Sequence, residues 1–185
     1  MRRVSCIAAV VCLGLLVGSS TAHADTLDGS TVTATLYNPN LSTILGGPTT
    51  ATVGASTPTF PNGSILGNTP FQINITGDQI FYDPLADVTY GNGVFNGFVF
   101  VFSNAPTILD VTLDSASTFV PTAISFTVDS VSLNLSRNTV NTHSVAILDV
   151  QLVPEPSSGV LMILPIGLVG VAYAWRRSRS EEALL

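Results

Sequence analysis

The chain has 185 residues, twelve acidic and six basic side chains and a formal net charge of −6, with no lysine at any position. So few cations cannot displace counterions from a phosphate backbone, which excludes nucleic acid as a partner. Both cysteines, Cys6 and Cys12, lie near the start, so the rest of the chain folds without disulfides or thiolate metal sites.

Met1-Arg2-Arg3 is a cationic start, residues 4–17 are an apolar core, and Ala22-His23-Ala24 has the small-x-small form of a signal-peptidase site. Residues 1–24 are therefore expected to be a cleavable signal helix, with Ala22 and Ala24 filling the peptidase's small-residue positions and the mature chain starting at Asp25. Arg2-Arg3 lacks the further residues of a twin-arginine signal, and neither cysteine occupies a lipobox. The general secretory route follows.

Residues 25–152 are expected to form one exported domain, long enough for its own core. Nine aspartates stand there against Arg137 alone, a net charge of −8. The hydrophobic period is two almost throughout. Val32, Ala34 and Leu36 alternate with Thr31, Thr33 and Thr35; Phe71, Ile73 and Ile75 alternate with Gln72, Asn74 and Thr76. Phe98, Phe100 and Phe102 interleave with Val99 and Val101, predicting a central strand covered on both faces.

Val111 and Leu113 are expected inward, with Asp110, Thr112 and Asp114 outward. Ile124, Phe126 and Val128 share one parity and Val131, Leu133 and Leu135 the other; a two-residue turn at Asp129-Ser130, or a bulge, reconciles them. A last strand over residues 144–152 turns Ala146, Leu148, Val150 and Leu152 inward. Turn signals stand at Asn38-Pro39-Asn40, Gly46-Gly47-Pro48, Pro61-Asn62-Gly63, Gly91-Asn92-Gly93 and Asn96-Gly97. Some eight short strands without an amphipathic helix predict an all-β fold, an antiparallel β-sandwich of jelly-roll or Ig-like outline.

Catalytic chemistry finds little to work with. His143 is the one histidine left after signal removal, and its polar surroundings predict a solvated loop residue; no nucleophile elbow accompanies it. A glycosidase pair would have to be two aspartates, because no glutamate precedes Glu155. Asp78, Asp83 and Asp87 fall in a turn-rich stretch and are the weak candidates for calcium, although EF-hand spacing is absent and turn-forming and N-capping roles are the expected account of them. No cofactor is called for and no catalytic residue is assigned. The triplets at Asn40, Asn62, Asn74 and Asn134 match the N-glycosylation pattern, as chance allows in a chain rich in Asn, Ser and Thr.

The tail has three parts: Val153-Pro154-Glu155-Pro156-Ser157, an apolar run over residues 159–175, and the basic cluster Arg176, Arg177 and Arg179. A helix over that run reaches about 25 Å, slightly short of a hydrocarbon core of about 30 Å. Interfacial Tyr173 and Trp175 and snorkelling arginines offset the deficit, and the charge asymmetry puts residues 180–185 in the cytoplasm. In order and spacing the segment 153–179 resembles the PEP-CTERM sorting signal of Gram-negative bacteria. The resemblance implies recognition by an exosortase, a membrane-embedded processing enzyme that acts at Pro154-Glu155-Pro156 and removes the transmembrane helix. It also implies transient anchoring in the inner membrane, then delivery to the cell surface or extracellular matrix, often alongside exopolysaccharide. The plainer alternative is a permanent single-pass anchor. For the exported domain the sequence leaves two readings: a non-enzymatic matrix protein, or a lectin-like module that binds polysaccharide through a loop face, with calcium near Asp78 to Asp87.

Overall fold

The computed structural model describes residues 26–67 and 70–153. These residues hold eleven strands and no helix: β1 (Thr31–Tyr37), β2 (Ile44–Thr52), β3 (Phe71–Thr76), β4 (Gln79–Pro84), β5 (Val88–Thr89), β6 (Gly97–Ser103), β7 (Ile108–Leu113), β8 (Ala123–Phe126), β9 (Ser130–Asn134), β10 (Thr139–Val140) and β11 (Ala146–Leu152). The threonine–aliphatic alternation of β1 buries Val32, Ala34 and Leu36, and the same logic buries Phe71, Ile73 and Ile75 on β3. Each strand thereby presents one apolar face, and two such sheets close over each other.

The first sheet has the order β2-β1-β6-β9-β8 and the second β3-β4-β11-β7, all neighbours antiparallel; β5 and β10 form a separate two-stranded ribbon. The fold is all-β, two antiparallel sheets packed together as a sandwich. Its longest uninterrupted pairing joins β1 to β6, from Thr31 opposite Ser103 to Tyr37 opposite Gly97. That pairing is set from both sides, because Gly97 packs so closely on β9 that a Cβ there would fall on the carbonyl oxygen of Leu133.

The two sheets meet through aromatic rings. Phe98 of the first sheet lies 4.8 Å from Phe71 of the second, edge to face, and 5.7 Å from Tyr82. Phe100 stacks beside Phe98 at 6.0 Å. Geometry of this kind adds about 0.5–1.5 kcal/mol per pair to the burial itself.

Four expectations are corrected. β6 is central in its sheet, yet only its phenylalanine face is covered: Val101 is 45% exposed, because no second layer lies on that side of a two-sheet sandwich. Gly46-Gly47-Pro48 is not a turn between strands. It lies inside β2, where the register against β1 shifts, and Gly47 takes φ +82° at a point where a Cβ would come within 2.7 Å of the carbonyl oxygen of Ala34. The β8–β9 connection is a loop over residues 127–129, closed by the Thr127 amide donating to the Ser130 carbonyl. Ile124 and Phe126 stand opposite Leu133 and Val131 as a hairpin requires, but Val128 is carried out of the core and is 65% exposed. Finally, the stretch from Gly77 to Asp87 is not all turn, since β4 runs through it.

Phe98→Ala removes the ring on which both sheets converge and is expected to cost about 3–5 kcal/mol of unfolding free energy in urea titration. A loss below about 1 kcal/mol contradicts this placement of the core.

Candidate functional site

Of the residues singled out in the sequence, Ala22, Ala24, Pro154, Glu155, Pro156, Ser157, Arg176, Arg177 and Arg179 lie outside the described residues, as do the signal segment 1–24 and the apolar run 159–175. Val153 is described. It follows the last strand directly, exposed, with its amide donating to the Thr107 carbonyl at 2.8 Å. β11 is an interior strand, between β4 and β7, so the chain leaves the sandwich from a strand bonded on both sides.

The three aspartates proposed for calcium are spread out. Asp78 sits in the tight β3–β4 turn, next to Gly77 at φ +57°. Asp83 is five residues farther on along an extended strand, roughly 16 Å away at the usual rise, and its Oδ2 accepts the Gln72 amide at 2.7 Å. Asp87 is in the loop before β5. Among the described residues, no group of three or more His, Cys, Asp or Glu side chains is arranged to hold a metal ion. Most of the other carboxylates serve the backbone: Asp28 accepts the Gly77 amide at 2.9 Å, Asp114 the Ala116 amide at 2.5 Å and Asp110 that of Val111 at 2.8 Å. The last two are the short-range turn roles for which an aspartate is suited, while Asp28 ties the β3–β4 turn to the start of the domain, 49 residues away in sequence.

His143 is exposed in the loop after β10, its Nδ1 3.4 Å from the Thr142 hydroxyl. Asn134 is buried. Its Oδ1 accepts the amides of Asn96 and Ser136, and its Nδ2 donates to the Val94 carbonyl at 3.1 Å. A side chain with both ends so engaged cannot carry a glycan, which removes one of the four acceptor triplets.

An apolar cleft of about 230 Å³ opens beside that clamp, lined by Leu36, Leu45, Phe71, Val88, Tyr90 and Asn96 among others. It is smaller than the roughly 300–1,000 Å³ of ordinary small-molecule pockets. Behind it, the hydroxyls of Tyr82 and Tyr90 share a hydrogen bond of 2.7 Å inside the core. Burial pushes the Tyr90 phenol up to about 12 and drives that of Tyr82 higher still, with the neighbouring Tyr90 adding to the effect. Both are neutral hydrogen-bonding groups at physiological pH.

The outward face of the second sheet gathers the remaining polar chemistry. Register places Phe81 between Asn74 on β3 and Ile147 on β11. Gln72 pairs with Asp83 to one side of that row; to the other, Gln79 Nε2 donates to Asp149 Oδ1 at 2.7 Å. Sequence reading missed this set, because Gln79 and Asp149 are 70 residues apart and only the β4–β11 register brings them together.

No family model, no curated protein and no solved structure matches this chain.

The tyrosine pair yields a signed pH dependence. Below pH 10 both phenols are protonated whether the chain is folded or not, so their contribution is fully present. As pH rises above 10 the unfolded chain loses these protons first, and stability falls by up to about 1.4 kcal/mol per pH unit for each tyrosine. Chemical denaturation between pH 9 and 12 is expected to show this fall in the wild type and a shallower one in Tyr82→Phe/Tyr90→Phe; equal slopes contradict the assignment.

Proposed function

We propose that this chain is a non-enzymatic exported protein of the cell surface or extracellular matrix. In this reading it is sorted through the membrane by its tail, processed by an exosortase at Pro154-Glu155-Pro156 and associated with exopolysaccharide or biofilm. The observation that carries the reading is the order of parts in residues 153–179: the Pro-Glu-Pro triplet, the apolar run and the arginines. The fold supports it in one respect. The last strand ends at Leu152, one residue before Val153 opens the motif, so processing after the triplet leaves every strand of the sandwich intact. The domain itself, jelly-roll- or Ig-like in outline, is the cargo. Signal peptidase and the exosortase act on the chain in turn, the first freeing Asp25 and the second separating the domain from its membrane helix.

A second reading, a lectin-like polysaccharide-binding module, is favoured by the outward face of the second sheet, where a half-buried phenylalanine stands among amides and carboxylates.

Intact-mass measurement of the mature protein from its native host is expected to show loss of residues 1–24 and of residues 159–185. Replacing Pro154-Glu155-Pro156 with alanines is expected to preserve the C-terminal helix. Mature protein that keeps residues 159–185 contradicts the sorting claim.

A further inference from the structure

We infer that the outward face of the four-stranded sheet is a docking surface for an uncharged polysaccharide chain. The inference deepens the polysaccharide reading above and rests on it for the class of polymer; the face and the charge of its ligand follow from the fold. The two sheets turn very different surfaces to solvent. The outward positions of the first carry mainly hydroxyls and methyls, such as Thr31, Thr33, Thr50, Val99, Val101 and Ser132, and no carboxylate; its ring and its amide, Tyr37 and Asn134, share one end row, where Tyr37 packs edge-on against Phe95 and the Asn134 amide is spent on Asn96, Ser136 and Val94. The second carries Phe81 in the middle of its face, with Gln72–Asp83 and Gln79–Asp149 on either side.

Successive outward residues on a strand are about 6.6 Å apart, so the two amide–carboxylate pairs lie roughly 13 Å from one another with the ring between them. That is the layout a short run of pyranose rings requires: an apolar patch for the C–H face of one sugar, and fixed polar groups for the hydroxyls of its neighbours. Each pair is already oriented by its own 2.7 Å hydrogen bond. The amide of Gln72 or Gln79 spends one N–H on its partner and keeps its carbonyl oxygen. The carboxylate of Asp83 or Asp149 keeps a second oxygen. Those acceptors suit hydroxyl donors, and holding the side chains in place beforehand lowers the entropy lost on binding.

Charge selects the ligand. Asp83, Asp110 and Asp149 all face outward from this sheet, and the domain's single cation, Arg137, lies outside its strands in the loop between β9 and β10. A polymer of uronates, sulfates or phosphates meets like charge there and finds no guanidinium or ammonium to pair with. A neutral glycan meets only acceptors and amides.

The test is affinity electrophoresis of the full chain, purified in a non-glycosidic detergent, through gels containing hydroxyethylcellulose, a soluble β-1,3-glucan, a galactomannan or alginate. Retardation by at least one neutral polymer, and not by alginate, is expected. Phe81→Ala and Gln79→Ala should each weaken that retardation at least fivefold at unchanged melting temperature, while Thr33→Ala on the opposite sheet leaves it as in the wild type. No retardation by any of the three neutral polymers overturns the inference, as does equal retardation by alginate, or binding that Gln79→Ala and Phe81→Ala both leave intact. Processing of the tail is read by mass and is untouched by this assay, so failure here and failure of the sorting reading are separate results.

Discussion

Everything in the sandwich depends on the contact of Phe98 with Phe71 and Tyr82. With no cysteine after Cys12 and Arg137 as its one Lys or Arg, the domain has neither disulfides nor an ion-pair network to hold two sheets together. What remains is burial, and the rings at 4.8 and 5.7 Å are where one sheet's apolar face enters the other's. From the first sheet's side the contact is carried by β6, whose longest pairing is with β1, about sixty residues of chain earlier, so the core forms only when distant segments pair. Such topology raises the cost of loop closure before burial repays it. The local order is then secured by small polar devices: the Asn134 clamp on the loop before β6, the aspartate-capped turns, and the Tyr82–Tyr90 pair, which satisfies two phenols that the core would otherwise isolate.

The same construction separates the domain from its tail. β11 is bonded on both sides, by β4 and by β7, and it ends at Leu152. Its exit end, up to Leu152, is paired to β7, and a chain cut a few residues farther on loses no strand. The proposed division of labour follows from this: the segment from Val153 onward is acted upon, and the sandwich persists through it. In the proposed reading, what the domain touches outside the cell is met by its faces and loops, and the second sheet's outward face carries the two amide–carboxylate pairs.

The parts of the fold legible in the sequence were those governed by the period of two. Val32, Ala34 and Leu36, or Ala146, Leu148 and Val150, alternate cleanly with polar residues, and each set is buried. The strands that escaped reading were those where another signal competed. In β2 the Gly-Gly-Pro triplet looks like a turn, and only the bulge against β1 shows how a strand accommodates it. In β4 the neighbouring aspartates suggested a loop, although Ile80, Tyr82 and Pro84 alternate with Gln79, Phe81 and Asp83 as a half-buried strand should. Val101 misled in the opposite sense, since an apolar residue on an outward face resembles a buried one until the number of layers is known. The candidate sheet face was hidden for a different reason. Its pairs are long-range, and composition carries no information about which glutamine will stand beside which aspartate.

The central claim is that the tail directs this domain through the membrane and is then removed. Its most direct test is the distribution of the protein, followed by antibody to the domain, between membrane and extracellular fractions of the native host with and without its exosortase. The account predicts a shortened form outside the wild-type cell and a longer, membrane-bound form in the exosortase-deficient cell. An identical size and distribution in the two would contradict it.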